Sequence, residues 1–339
     1  MRRVLLPADI DPALPPAGSV LHEAAGSTMG TSWSVRMMLA RGAGAGLADA
    51  LQRELDDVVA QMSHWEPDSL LARYNDAPAG SWHALPPQFF AVMDYALELL
   101  AATGGAYDPC AGELVNLWGF GPVRRFDQAG FYAPQAAAVT ALLATLAARR
   151  AAGAVVFDRA GRRLLQPGGV RLDLSSIAKG HAVDRLAHCL ERHGVLHYLA
   201  EIGGELRGAG MKPDGQPWWV ELEGVPGAAS DGGQVLVALH GLSAATSGDY
   251  RRSYEHGARR ASHTLDPRSG YPIANDVASV TVLHASCMAA DALSTALTVM
   301  GLDDGLAFAE ARGLAARYLV RGPSGLHEHT SSAWRAMLG

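Results

Sequence analysis

VLHYLAEIGGELRGAGMKPDGQPWWVELEGVPGAASDGGQVLVAL, residues Val195–Leu239, contains three strand-like runs and no helical run between them. Val195–Ile202, Trp218–Glu223 and Gln234–Leu239 are rich in aliphatic, aromatic and β-branched residues, and glycine-rich turns separate them. Parallel strands need a long crossover, usually a helix, whereas these connections read as hairpins and loops. The predicted fold class is therefore α+β, a mixed, largely antiparallel sheet core flanked by helices with a smaller α/β subdomain, and not a doubly wound parallel sheet.

Outward from this stretch, helices bracket the strands. Leu47, Leu51, Leu55, Val58, Val59 and Met62 fall at helical spacing, which predicts an amphipathic helix over 47–62 behind a strand at Ser32–Ala40. Further helices are predicted over Pro87–Thr103, Pro134–Gly153 and from Lys179 onward, with short strands at Ala154–Phe157 and Arg162–Leu165. Downstream come a strand at Val277–His284, helices at Met288–Met300 and Asp304–Arg312, and a strand at Ala315–Val320. Arg41–Gly46 and Gly224–Gly233 read as loops by composition. Residues 1–25, rich in Pro and Ala, are expected to wrap the surface. Residues 26–339 read as a single domain, an expectation that two lobes around a ligand cleft would also meet.

The chain of 339 residues is 49% hydrophobic and 18% charged, which fits a globular protein with a real core. A formal charge of −6 without basic runs argues against a nucleic-acid partner. Cys110, Cys189 and Cys287 form no CxxC pair and read as buried thiols. The apolar run after Arg2-Arg3 stops at Pro7, short of the roughly 7–15 residues of a secretory signal, and no membrane-length apolar run follows. The expected compartment is cytoplasmic for the sequence as it stands, and periplasmic if an export segment has been trimmed. Lys179 and Lys212 are the only lysines among 28 Lys and Arg residues, so a lysine retained at a turn invites a role that arginine cannot fill.

Three segments carry chemistry. Asp291 and Thr295 stand four residues apart on one face of the apolar helix CMAADALSTALTVM. A buried carboxylate needs compensation, and a divalent cation with hard oxygen ligands offers it. Equally, Asp291 could cap its helix and Thr295 could bond back to it. Asp173-Leu-Ser-Ser-Ile-Ala-Lys179-Gly180 joins a strand end to a helix start, where backbone N–H groups and Lys179 suit a phosphate. The plain alternative is a junction capped by Asp173 or Ser175. Thr246–Tyr250 and Ser262–Gly270 are dense in polar groups, with His263 able to move a proton and Asp266 near enough in sequence to orient or charge-balance it. Thirteen histidines occur in the chain, so His263 is singled out only by these neighbours. Trp65 in Met62–Ser69, and the aromatic-glycine clusters Gly104–Asp108 and Trp118–Gly121, fit either a planar ligand or hairpin packing. The Ile202-Gly-Gly-Glu205 turn lacks the spacing of a dinucleotide fingerprint.

In this order, the segments resemble the ApbE family of FAD:protein FMN transferases. Gly26-Ser-Thr-Met-Gly-Thr31, Ser63–Asn75, Tyr107–Gly121, Asp173–Gly180, Ile202–Glu205, Ser247–Tyr250, Ser262–Gly270 and Ala290–Thr295 match successive blocks over roughly residues 26–312. The resemblance implies an ApbE-like fold around an FAD cleft. It implies that Asp291, Thr295 and the backbone carbonyl of Ser176 hold Mg2+, and that Met29, Trp65, Ala106, Tyr107, Asp108, Asp173, Lys179 and Leu265 touch FAD. His263 then matches the base that activates the acceptor hydroxyl, with Asp173 the next candidate. The implied acceptor is a Thr or Ser of a flavoprotein with an FMN-binding domain, such as an Nqr-type (sodium-translocating NADH:quinone reductase) or Rnf-type subunit. His64-Trp65 departs from the Thr-Tyr pair frequent in that family. Two rival expectations are a Mg-dependent FAD pyrophosphatase, with water replacing the acceptor, and a non-catalytic flavin carrier, which would need neither His263 nor the Asp291/Thr295 pair.

Overall fold

The computed structural model describes residues 2–151, 156–227, 233–256 and 259–338. The chain opens with strands β1 (Arg2–Leu5), β2 (Ser19–Thr28) and β3 (Thr31–Ala40), then helices α1 (Leu47–Met62) and α2 (Leu70–Asn75). Strand β4 (Ser81–Ala84) and helices α3 (Pro87–Ala102), α4 (Gly112–Leu117) and α5 (Ala136–Ala151) follow. Strands β5 (Phe157–Asp158) and β6 (Arg163–Gln166) lead to helix α6 (Ala178–Arg192). Next come β7 (Tyr198–Ile202), β8 (Glu205–Ala209), β9 (Trp218–Glu221), β10 (Gln234–Leu239) and β11 (Leu242–Gly248). Four short strands, β12 (Ser253–His256), β13 (Arg259–Ser262), β14 (Leu265–Asp266) and β15 (Tyr271–Pro272), precede β16 (Val277–His284). Helices α7 (Cys287–Met300) and α8 (Leu302–Ala311), strands β17 (Ala315–Gly322) and β18 (Gly325–Thr330), and helix α9 (Ser332–Ala336) complete the chain.

These elements fall into two compact units: Met1–Asp57 with Lys179–Tyr250 and Asn275–Gly339, and Val58–Ala178 with Arg251–Ala274. The first is built on an eight-stranded sheet of order β18-β17-β16-β11-β8-β7-β3-β2, antiparallel at every pairing. Helix α7 packs on β11 and β16. Leu5, Val235, Val237 and Leu239 form a second core with Ala244, Leu283 and Trp334, joining the small sheet β1-β10-β9 to the large one. β16 is thus covered and buried along almost its whole length, Ser279 and Thr281 included, without the exposed face of a half-buried strand.

The N-terminal expectation needs correction. Residues 1–25 do not simply wrap the surface: β1 pairs in parallel with β10, Leu5 is fully buried, and β2 runs from Ser19 along β3. Arg3 helps to hold β1 in place through an ion pair with Glu328 on β18, Nη2 to Oε1 being 2.6 Å. β2 carries no clear apolar/polar alternation because it is an edge strand whose exposed face mixes Leu21 and Ala25 with Glu23 and Ser27. Of the strand expected at Ala154–Phe157, residues 154 and 155 lie outside the described residues, as do 228–232 of the loop expected at Gly224–Gly233.

The second unit carries α2–α5, the antiparallel sheet β4-β6-β5 and the hairpins β12-β13 and β14-β15. Its core gathers Leu114, Trp118, Phe120, Val139, Leu146 and Leu265, and Trp118 Nε1 donates to the Gly270 carbonyl at 2.7 Å. Trp118-Gly-Phe-Gly121 is therefore mainly packing. Among the described residues, no helix is long and apolar enough to cross a membrane.

Candidate active site

In the first unit the site grows from two helix beginnings. Ser286 caps α7, its Oγ accepting from Ala289 N at 3.3 Å, so Asp291 sits more than a turn inside the helix and is not its cap. Asp291 is buried, and its Oδ2 accepts the Gly180 N–H of α6 at 2.9 Å. A Cβ on Gly180 would come 2.3 Å from the Cys287 carbonyl oxygen and 2.7 Å from Asp291 Cβ, so glycine permits this approach. One turn beyond Asp291, Thr295 Oγ1 lies 2.9 Å from Ser247 Oγ on β11, which is also 2.9 Å from Ser294 Oγ. Thr295 thus meets a neighbouring strand, contrary to the reading in which it only bonds back to its own helix.

These donors are one carboxylate and hydroxyl oxygens, and among the described residues no three His, Cys, Asp or Glu side chains gather to hold a metal. Such a set suits Mg2+, which commonly takes one or two carboxylates and leaves places for substrate oxygens, and it does not suit Zn2+. Lys179 Nζ lies 2.5 Å from Oε1 of Glu205, a buried residue of β8. Met29 occupies the two-residue turn of the β2-β3 hairpin with φ 48°, followed by Gly30 at 72°. Asn or Gly is usual where a hairpin needs positive φ at both positions, so a methionine held there costs energy and marks a functional candidate.

In the second unit, His64 Nδ1 stands 3.4 Å from Asp173 Oδ1. Asp173 Oδ1 also accepts from Ser175 N at 2.8 Å, shaping the turn before α6. Burial works to raise the Asp173 carboxyl, but the charge and hydrogen bond of His64, with bonds from Ser175, hold it well below the usual carboxylate range. Burial works to lower His64, yet Asp173 outweighs it and raises the imidazole, against the opposing charges of Arg252 and Arg171. The linkage signs are opposite. The raised His64 stabilises fully below its unfolded value of about 6.5 and loses this as pH rises through its folded value, while the lowered Asp173 stabilises above about 3.9 and loses this as pH falls. His64→Asn is therefore expected to cost about 1–2 kcal/mol near pH 5.5 and less at pH 8.5 by thermal unfolding; an equal loss at both values would show that the pair is not ionic.

A cleft of about 200 Å³ is lined by His64, Trp65, Asn75, Arg171 and Asp173, among others. Trp65 is 41% exposed, with the Arg125 and Arg252 guanidinium carbons 5.8 and 6.0 Å from its ring centre. An exposed ring flanked by cations suits a planar, anionic ligand. Tyr107 is buried and its hydroxyl accepts from Ser176 Oγ at 3.2 Å. Ala106 and Leu265 are buried, as is Asp108, whose Oδ1 accepts from Cys110 N at 2.8 Å. His263 Nδ1 lies 3.1 Å from the Arg252 carbonyl oxygen. A carbonyl only accepts, so the proton is assigned to Nδ1 and the lone pair to Nε2. Asp266 does not orient His263: its carboxylate binds Arg268, at 2.9 Å to Nε and 3.0 Å to Nη2.

The profile of the ApbE family matches residues 29–318. This chain belongs to the ApbE family. It is 38% identical over 321 residues to the FAD:protein FMN transferase of Vibrio cholerae serotype O1, across 92% of this chain and 91% of that one. It is 34% identical to the protein of the same name from Haemophilus influenzae, across 92% and 90%. The structure is similar to the apo flavinyl transferase ApbE of Pseudomonas stutzeri, with a TM-score of 0.83 at 37% identity over 95% of this chain and 98% of that one.

In this ApbE-family chain, the structure groups Asp291 with Thr295 and Asp173 with His64. Ser247 and Ser294 join the Thr295 hydroxyl and Glu205 pairs with Lys179, although the sequence alone assigns none of the three a role. Ser247 and Glu205 lie within the Ser247–Tyr250 and Ile202–Glu205 motifs, which was the available signal; the burial of Glu205 and its contact with Lys179 are visible only in the fold. Because Lys179→Met would leave the buried Glu205 without that lysine, the double change Lys179→Met/Glu205→Gln is the cleaner probe. It is expected to raise KM for FAD by about tenfold, the equivalent of roughly 1.4 kcal/mol, with a smaller change in kcat. Equal falls in kcat and kcat/KM would instead place Lys179 on the transition state.

Proposed function

We propose that this chain transfers FMN from FAD to a Ser or Thr hydroxyl of an acceptor protein and releases AMP, with Mg2+ as the metal. The observation that carries this reading is the buried Asp291 on α7, bonded to the first turn of α6 and one turn from the Thr295–Ser247 hydroxyls. A hard-oxygen group beside a helix beginning that carries Lys179 suits pyrophosphate chemistry, and a flavin carrier has no need of it.

In the proposed reaction Asp291, Thr295 and the Ser176 carbonyl hold the metal, which when bound would neutralise charge developing on phosphate oxygens. Lys179 binds the pyrophosphate, and Trp65 stacks on a ring of FAD. Met29, Ala106, Tyr107, Asp108, Asp173 and Leu265 complete the FAD contacts. His263 Nε2 takes the acceptor proton. The acceptor oxygen forms its bond to the FMN-side phosphorus as the bond to the AMP-side bridging oxygen breaks, and AMP departs with that oxygen. His263 suits the base role better than Asp173, because a carboxylate held strongly ionised by His64 is a weak base at neutral pH.

The test is incubation with FAD, Mg2+ and a recombinant FMN-binding domain of the Nqr or Rnf type, with intact-mass measurement of the acceptor. A mass gain of one FMN, matched by AMP, is expected. Free FMN and AMP at the same rate with and without acceptor would mean water is the acceptor and the activity is a pyrophosphatase.

A further inference from the structure

One buried carboxylate of the first unit has no part in the proposed reaction. Asp184, on α6, accepts four hydrogen bonds: Oδ1 from Cys287 N at 3.0 Å and Arg207 Nη1 at 2.6 Å, Oδ2 from Ser286 Oγ at 2.8 Å and Met288 N at 3.0 Å. Three of these donors belong to the beginning of α7. Ser286 Oγ, which accepts from Ala289 N, already supplies the usual cap. The Cys287 and Met288 amides would otherwise be orphan donors of a helix start, and a carboxylate from another helix takes both.

The exchange is reciprocal. Asp184 of α6 serves the first amides of α7, and Asp291 of α7 serves the Gly180 amide in the first turn of α6. On each helix the two anchor points lie about one turn apart, Gly180 with Asp184 and Cys287-Met288 with Asp291. One such contact would let α7 pivot; two spaced along the axis fix both its rotation and its slide. The close approach at Gly180 leaves little room for either helix to shift. Arg207 balances the Asp184 charge and ties it to β8, so the cap is braced from the sheet side as well.

We propose that Asp184 is a positioning residue that sets the orientation of Asp291 and Thr295 for metal binding. This rests on the reading of those two residues as metal ligands. A cap that served stability alone would lower the melting temperature and leave the affinity of the folded protein for metal unchanged. A positioning residue alters that affinity in protein that is still folded, as partners that orient metal ligands do.

The experiment is Mn2+ titration of the full chain without FAD, followed by electron paramagnetic resonance, with circular dichroism and thermal melts in parallel. Asp184→Asn keeps the size but turns an N–H group towards amide donors. Its Kd for Mn2+ is expected to rise by about 10- to 100-fold while the far-ultraviolet spectrum is kept. If Asp184→Asn does not fold, Ser286→Ala removes one donor and keeps the Arg207 pair, and its Kd is expected to rise about threefold. An unchanged Kd in the folded variant overturns the proposal. Failure of the underlying metal reading looks different: wild type then binds no Mn2+ that Asp291→Ala removes, and both readings fall.

Discussion

Asp291→Asn is expected to lower FMN transfer by about 10³-fold or more, since the charge stabilisation lost with the metal amounts to several kcal/mol. Asparagine is the sharper choice than alanine. Asp291 Oδ2 accepts the Gly180 N–H, and an amide oxygen can keep that bond while giving up the negative charge. The variant should therefore melt near the wild type yet fail in transfer, whereas Asp291→Ala should lose both activity and stability. Chelation of the wild type with EDTA should reproduce the Asp291→Asn defect, and excess Mg2+ should reverse the chelation but rescue the variant poorly. FAD binding should weaken too, because the metal would offset repulsion between the pyrophosphate and the protein's own carboxylates. Measured AMP release at the wild-type rate, in either the variant or the EDTA-treated protein, would sink the metal assignment.

His263→Ala is expected to cut transfer by about 10²–10⁴-fold, the range for a general base, with FAD affinity nearly intact. The two quantities separate if, as proposed, the Nε2 lone pair acts on the acceptor proton and not on FAD. The wild-type rate should rise with pH as the imidazole loses its proton, and the variant should lose that rise. Asp266→Asn should change the rate little, since its carboxylate binds Arg268 while the Arg252 carbonyl faces His263 Nδ1. A large Asp266→Asn defect would return the orienting role to that residue. If His263→Ala instead transferred at the wild-type rate but failed to hold FAD, the residue would be a ligand contact and the base would lie elsewhere.

Elements whose burial depends on one face or one continuous run were legible in the sequence. The amphipathic α1 and the apolar β10 and β16 occupy the residues their patterns indicated. β11 was not, because LSAATSG buries small and hydroxyl residues beneath α7, and such residues carry little hydrophobic signal. Short elements such as α2 and α4 span six residues each, too few for a helical period to repeat. Adjacency in sequence misled once, at Asp266, where Arg268 two residues away offered a stronger partner than His263.

The sequence by itself determined which side chains were out of place: a carboxylate and a hydroxyl on an apolar helix, a retained lysine at a turn, a histidine among polar neighbours, and motifs in family order. Tertiary structure alone decided what stands opposite them. Ser247 meets Thr295 from 48 residues away, Asp173 meets His64, Glu205 meets Lys179, and Asp184 caps a helix that starts 103 residues later. Periodicity specifies the face on which a side chain lies, because that follows from local backbone geometry. The group that compensates its charge is set by which strands and helices pack together, and no local pattern encodes that choice.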